Sequence, residues 1–178
     1  MIAGRGTVAI GIVLTSSGSV GLAACGVVAS AAVAPCPARA VAITVGQFGV
    51  GRGHFGGALL FTNRGHATCT LRGYPDASAV SARAIVALPR APRGYLGGLL
   101  PGVAHPPVVT LAPGAVASAV VEGLAVAASR SSTCTPYGAL RIGVPGSSAA
   151  TTLAIETSSC SALEVHPIVL GRTGNQSP

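Results

Sequence analysis

Apolar and polar positions along this chain alternate in short runs, each closed by glycine, proline, asparagine or aspartate. The stretch that organises the rest is 58–76. An apolar run over 58–61 stops at Thr62-Asn63, and a short polar segment covers 64–68. The chain then resumes at Cys69 and turns at Gly73-Tyr74-Pro75-Asp76. This pattern reads as strand, loop, strand, turn, with Cys69 tying the second strand to another part of the molecule.

The same reading extends in both directions. Residues 41–47 and 57–63 are expected strands, and 49–57 between them is too rich in glycine to be anything but a loop. Residues 78–88 hold one or two strands. Residues 89–107, with five prolines, form a long irregular loop. Strand 108–111 ends at Ala112-Pro113-Gly114. Over 115–127 nearly every position is apolar, so periodicity alone separates neither helix nor strand. The preceding Pro-Gly turn and the β-branched Val116, Val120 and Val121 favour a strand. Further strands are expected at 137–144, 151–156 and 163–170, with a polar tail over 171–178. About seven to nine short strands with regular turn signals and no convincing helix predict an all-β chain, an antiparallel β-sandwich.

The amino terminus reads differently. Met1-Ile2-Ala3-Gly4-Arg5 is a short basic start, an apolar run covers 7–14, and small residues continue to Leu22-Ala23-Ala24-Cys25. The run falls short of the about 20 residues a membrane span needs, and the arrangement is that of an export signal. Leu-Ala-Ala-Cys looks like a bacterial lipobox. Cys25 would then be the first residue of the mature chain, carrying diacylglycerol and a fatty acyl group such as palmitate. The alternative is a secreted protein cut near Ala29-Ser30-Ala31. The expected organisation is a signal over 1–24, a tether over 25–35, a sandwich over 36–173 and a tail over 174–178. Either way the domain works outside the cytoplasm, by the first reading on the outer face of the cell membrane.

Cysteine usage fits that address. Lipidation of Cys25 leaves four: Cys36, Cys69, Cys134 and Cys160. None has the close spacing of a zinc knuckle, and an oxidising compartment makes disulfides the default. Of the three pairings possible, Cys36–Cys69 with Cys134–Cys160 is favoured because it joins sequence neighbours.

Hydrophobic residues are 49% of the chain but aromatics only 3%, so the core must be aliphatic. All eleven basic residues are arginine, a habit of GC-rich genomes. Without Arg5 the balance is ten arginines against four acids, 10 − 4 = +6. The plain reading of this excess is solubility; read functionally, it suits anionic lipid or acidic glycan as partners, beside an envelope protein. Export and the lack of stacking aromatics argue against nucleic acid.

Phe61-Thr62-Asn63, Cys69-Thr70-Leu71-Arg72-Gly73-Tyr74-Pro75, Val109-Thr110-Leu111-Ala112-Pro113-Gly114, Cys134-Thr135-Pro136, Cys160 and Val165-His166-Pro167 follow one another in this order. With them the chain resembles the actinobacterial domain of unknown function numbered 4232, found in exported proteins and lipoproteins. The likeness covers roughly 36–173. It implies an immunoglobulin-like sandwich and the two cysteine pairs above, and brings no catalytic residue and no known ligand. The absence of tryptophan departs from the family's usual look.

Candidate chemistry is sparse. Gly51-Arg52-Gly53-His54-Phe55-Gly56 matches a dinucleotide fingerprint literally, but that motif must open a helix. Here a short strand follows, so a loop between strands is expected. No nucleophile elbow and no zinc-protease motif occurs, and no catalytic residue or cofactor is assigned. His54, His66, His105 and His166 are scattered, and no metal site is expected from their spacing. A single methionine, the initiator, excludes a thioether copper site. Arg83, Arg90 and Arg93 with Tyr95 form the densest basic cluster, and Arg90, Arg93 and Tyr95 mark the 89–107 loop as the candidate contact surface. The leading expectation is a membrane-anchored, non-enzymatic binding module. The alternative is an envelope hydrolase whose site assembles from Asp76, a histidine and an arginine, and the third is a spacer without a ligand.

Overall fold

The computed structural model describes residues 32–127, 129 and 133–177. The signal segment, Cys25 and the Ala29-Ser30-Ala31 cut lie outside these residues. Strands follow one another as β1 (Val41–Gly51), β2 (His54–Asn63), β3 (Cys69–Arg72), β4 (Asp76–Val80), β5 (Ile85–Ala87), β6 (Val108–Leu111), β7 (Val116–Leu124), β8 (Thr135–Gly143), β9 (Thr151–Ser159), β10 (Glu164–Val165) and β11 (Val169–Leu170). One 3₁₀ turn, Ala38–Ala40, precedes them. No helix among the described residues is long and apolar enough to cross a membrane.

One sheet runs β1-β2-β7, with β10 and β11 both paired to the far side of β7. A second runs β5-β4-β8-β9, and β3 with β6 makes a separate ribbon. All strand pairs are antiparallel. Leu59, Phe61 and Val121 of the first sheet share one core with Leu140, Ile142 and Ile155 of the second and with Leu71 and Leu111 of the ribbon. The fold is therefore all-β and antiparallel, as expected, and compatible with an immunoglobulin-like sandwich.

Strand β7 shows why its sequence carries no period. Its odd residues, Ala117, Ala119 and Val121, face the shared core. Its even residues point the other way, and Ser118, Val120 and Glu122 are buried there too. A strand covered on both faces reads as a continuous apolar run.

The organising stretch is held by Asn63. Its side-chain amide donates to the carbonyls of Ala67 (2.9 Å) and Leu111 (3.0 Å), and its oxygen accepts from the Gly65 amide (2.9 Å). The loop after β2 is thereby fastened to the β6 ribbon. Two disulfides complete the frame: Cys36–Cys69 joins the lead-in to β1 with the start of β3, and Cys134–Cys160 closes the open ends of β8 and β9. Both are the favoured pairs. In the chain-entropy account, loops of 33 and 26 residues are each worth about 3.5–4 kcal/mol.

Two sequence expectations are corrected. Residues 49–57 are not a loop: Gly49–Gly51 pair with Gly56–His54 in a continuing hairpin. Arg52 (φ 48°) and Gly53 (φ 81°) carry the turn between them, the two left-handed central residues of a type I′ connection. The glycines hid the strand because they supply no side-chain pattern. The fingerprint-like motif is thus a tight hairpin. The last expected strand, 163–170, is split, because Pro167 lacks the N–H that would continue the ladder. Glu164 and Val165 pair with Glu122 and Val121, and Val169 and Leu170 with Ser118 and Ala117.

The turn yields a test. Gly53→Ala forces a Cβ into a left-handed conformation, and chemical denaturation should show a loss of about 1 kcal/mol or more. Arg52→Asn supplies the residue such turns prefer and should leave stability equal or higher.

Candidate functional site

The outer face of the first sheet, opposite the shared core, is roofed by residues 89–107 and by the carboxy-terminal segment. The long loop is irregular, as expected, yet its backbone over 89–100 is bonded at many points. Ala91 N and Val165 N bond to Val165 O and Pro89 O, clipping the loop to β10. Gly98 N donates to Gly174 O, Gln176 N to Gly98 O, and Leu100 N to the Gln176 side chain. Gly174 N in turn donates to the buried Ser118 hydroxyl of β7 (2.8 Å).

The strongest tie is Glu122. Its carboxylate, 4% exposed, accepts the backbone amides of Tyr95 (2.9 Å) and Leu96 (2.7 Å), one on each oxygen. The loop turns tightly here, with Gly94 N bonded to Gly97 O. A Cβ on Gly94 would fall on the Glu122 carboxylate, so only glycine lets the backbone come this close.

Three more side chains gather around this carboxylate. Glu164 stands directly across from Glu122 in the strand register. His166 lies two residues on and is fully buried, with Nε2 3.3 Å from Glu122 Oε2 and 3.8 Å from Glu164 Oε1. Its Nδ1 is 3.0 Å from the Ala91 carbonyl oxygen. His54 Nδ1 lies 4.0 Å from Glu122 Oε1, and its ring stacks on Tyr95 with centroids 4.7 Å apart. Four positions spread from 54 to 166 thus meet under one loop. The histidines that look isolated in sequence include two that converge. The available signals were a lone acid inside the apolar run 115–127, and the i, i+2 spacing of Glu164 and His166, which sets both on one face.

The arginines of the loop are placed separately. Arg90 Nη2 bonds Asp76 Oδ1 at 2.9 Å, and its guanidinium lies 5.8 Å from the centre of the Tyr74 ring. Burial pushes the Tyr74 hydroxyl above its ordinary value, and the Arg90 charge pulls it back. Arg93 Nη2 donates to the loop's own Val103 carbonyl. Tyr95 remains half exposed against His54. Arg83 sits on the turn between β4 and β5, where its amide bonds the Ser81 hydroxyl.

Asp76 serves as a structural acid. Its second oxygen accepts the Gly146 amide, and the groove of about 610 Å³ beside it is lined by Arg90 and Arg141 with no histidine. The grouping of Asp76 with a histidine is not formed among the described residues. The Arg90–Asp76 pair is 58% and 42% exposed, which limits it to about 0–1 kcal/mol. Hydrogen bonds to a buried carboxylate are worth about 1.5–3 kcal/mol each. Glu122, not the surface ion pair, decides where the loop sits.

Comparison with known proteins places this architecture. Residues 36–169 match the family model described as domain of unknown function (DUF4232). The chain belongs to the DUF4232 family. No curated protein and no solved structure matches it. The DUF4232 match takes in both disulfides, the whole 89–107 loop, Glu122 and the three residues that converge on it.

Two substitutions in this DUF4232 domain test the clamp. Glu122→Gln turns one acceptor oxygen into an NH₂ facing an amide donor and should cost about 2–3 kcal/mol in urea denaturation. Gly94→Ala, on an exposed part of the loop, should nonetheless cost about 1–3 kcal/mol, because its methyl group must displace the carboxylate. A neutral Gly94→Ala would show that the loop does not rest on Glu122.

Proposed function

We propose that this chain is a cell-envelope lipoprotein, anchored by acyl chains on Cys25 to the outer face of the membrane, whose sandwich presents the 89–107 loop as a binding surface. The observation that carries the reading is the state of that loop. It is proline-rich and irregular, yet held by Glu122, β10 and the carboxy-terminal segment. A loop fixed in this way loses little further entropy when a partner binds it. Its outer side shows Arg90, Arg93 and Tyr95 to solvent.

The anchor rests on separate support. The four cysteines of the domain are paired with one another, which leaves Cys25, behind Leu22-Ala23-Ala24, as the odd thiol. Two acyl chains give stable membrane attachment where one does not. Disulfides accord with an extracytoplasmic site, and the all-arginine basic set accords with an actinobacterial source. The partner classes are an envelope protein, anionic lipid or acidic glycan, each suited to the net positive charge. The alternative, a hydrolase built on Asp76, a histidine and an arginine, gains nothing from the geometry around Asp76.

Two measurements test this. In the native host, intact mass should show a chain beginning at an acylated Cys25, and Cys25→Ala should leave the membrane fraction. An unmodified, soluble wild-type chain would overturn the anchor. Arg93→Ala with Tyr95→Ala should weaken binding to immobilised anionic vesicles, acidic glycan or cross-linked envelope protein by about tenfold or more. Unchanged binding to all three would remove the loop from the account.

A further inference from the structure

The cluster under the loop holds an unresolved polar contact. Nδ1 of His166 faces a carbonyl oxygen at 3.0 Å. A carbonyl only accepts, so Nδ1 carries the hydrogen. In the neutral ring Nε2 then offers a lone pair. That atom is buried and has no hydrogen-bond partner. It points at Glu122 Oε2 and Glu164 Oε1, which are themselves acceptors. The three ligand atoms lie within 4.8 Å of one another. Glu122 and Glu164 are also a directly opposed like-charge pair in the sheet, an arrangement that is destabilising unless something positive lies between them. Among the described residues no arginine makes an ion pair with either acid.

We propose that Glu122, Glu164 and His166 form a binding site for a divalent transition-metal ion of the zinc class. Ligand atoms around a tetrahedral zinc stand about 3.3–3.5 Å apart, given bonds of ~2.0–2.2 Å. The 3.3 Å and 3.8 Å separations to Nε2 are close to this. Glu164, 36% exposed, has the freedom to close the remainder and marks the side from which an ion enters. One imidazole nitrogen with two carboxylate oxygens is a borderline donor set, which selects zinc or cobalt over calcium or magnesium. A divalent ion cancels the two negative charges of the carboxylates. The Nδ1–H bond to the Ala91 carbonyl is the outer contact that fixes the tautomer and aims a histidine ligand. The amides of Tyr95 and Leu96 do the same for Glu122. Three protein ligands leave a fourth position for water. Because Ala91, Tyr95 and Leu96 all belong to the 89–107 loop, the ion would bind where the loop is held, and metal occupancy would stiffen the loop.

The test uses the full, disulfide-bonded chain, stripped with chelator and titrated with Zn²⁺, then with Co²⁺, Mg²⁺ and Ca²⁺. Calorimetry should give one Zn²⁺ per chain, and one equivalent of Co²⁺ should develop the visible bands of a four- or five-coordinate N/O site. Glu164→Gln should weaken Zn²⁺ binding by about tenfold or more, since a ligand is lost. Glu156→Gln, an exposed acid on β9, should not. Zn²⁺ held equally by wild type and Glu164→Gln would place it on surface histidines such as His66 or His105 and would overturn the proposal. So would Mg²⁺ or Ca²⁺ binding as tightly as Zn²⁺. Should Glu164→Gln fail to fold, the wild-type cobalt spectrum decides. The colour of free aqueous cobalt alone would mean that a proton on Nε2, not a metal, sits between the carboxylates.

Discussion

A carboxylate placed inside a strand that is covered on both faces sets the terms for this domain. Glu122 cannot reach bulk water, and a buried polar group without partners costs several times what one hydrogen bond contributes. The structure answers by bringing the backbone of the long loop down onto it, so that Tyr95 and Leu96 amides fill both oxygens. The requirement is mutual. A loop with five prolines has few amides to donate and no ladder to join, and Glu122 gives two of those amides a strong acceptor. The outer layer of the sheet is thus formed by an irregular segment, with backbone bonds in place of strand pairing.

The disulfides act elsewhere. Cys36–Cys69, buried at the edge of the core, closes the lead-in to β1, and the less buried Cys134–Cys160 closes the ends of β8 and β9. Cys160 N also bonds Leu124 O at the end of β7, so the second bridge ties the second sheet to the strand that carries Glu122. The frame is covalent at its margins and the loop is electrostatic at its seat. That division lets the loop vary in its exposed side chains without disturbing the sandwich beneath.

Much of the fold was legible in the sequence because it is written in local signals. Thr62-Asn63 and Gly73-Tyr74-Pro75 mark the ends of β2 and β3, and Ala112-Pro113-Gly114 separates β6 from β7, as turn chemistry requires. The β-branched residues of 115–127 identified β7 although its period was flat. The glycine hairpin escaped because backbone pairing needs no side-chain pattern, and 163–170 was read as one strand because the break is a single proline. The site was the least legible part. Arg90, Arg93 and Tyr95 stand out locally, but they face different partners. Glu122, Glu164, His166 and His54 meet only through the β2-β7-β10 register, which no short window contains.

The central claim is that residues 89–107 belong to the folded core through Glu122 and are not a mobile surface loop. Amide hydrogen exchange reads this residue by residue. The account predicts that Tyr95 and Leu96 amides exchange as slowly as those of β7, because both must await release of the carboxylate. Exchange of these two amides at the rate of a free loop, with β7 still protected, would contradict it.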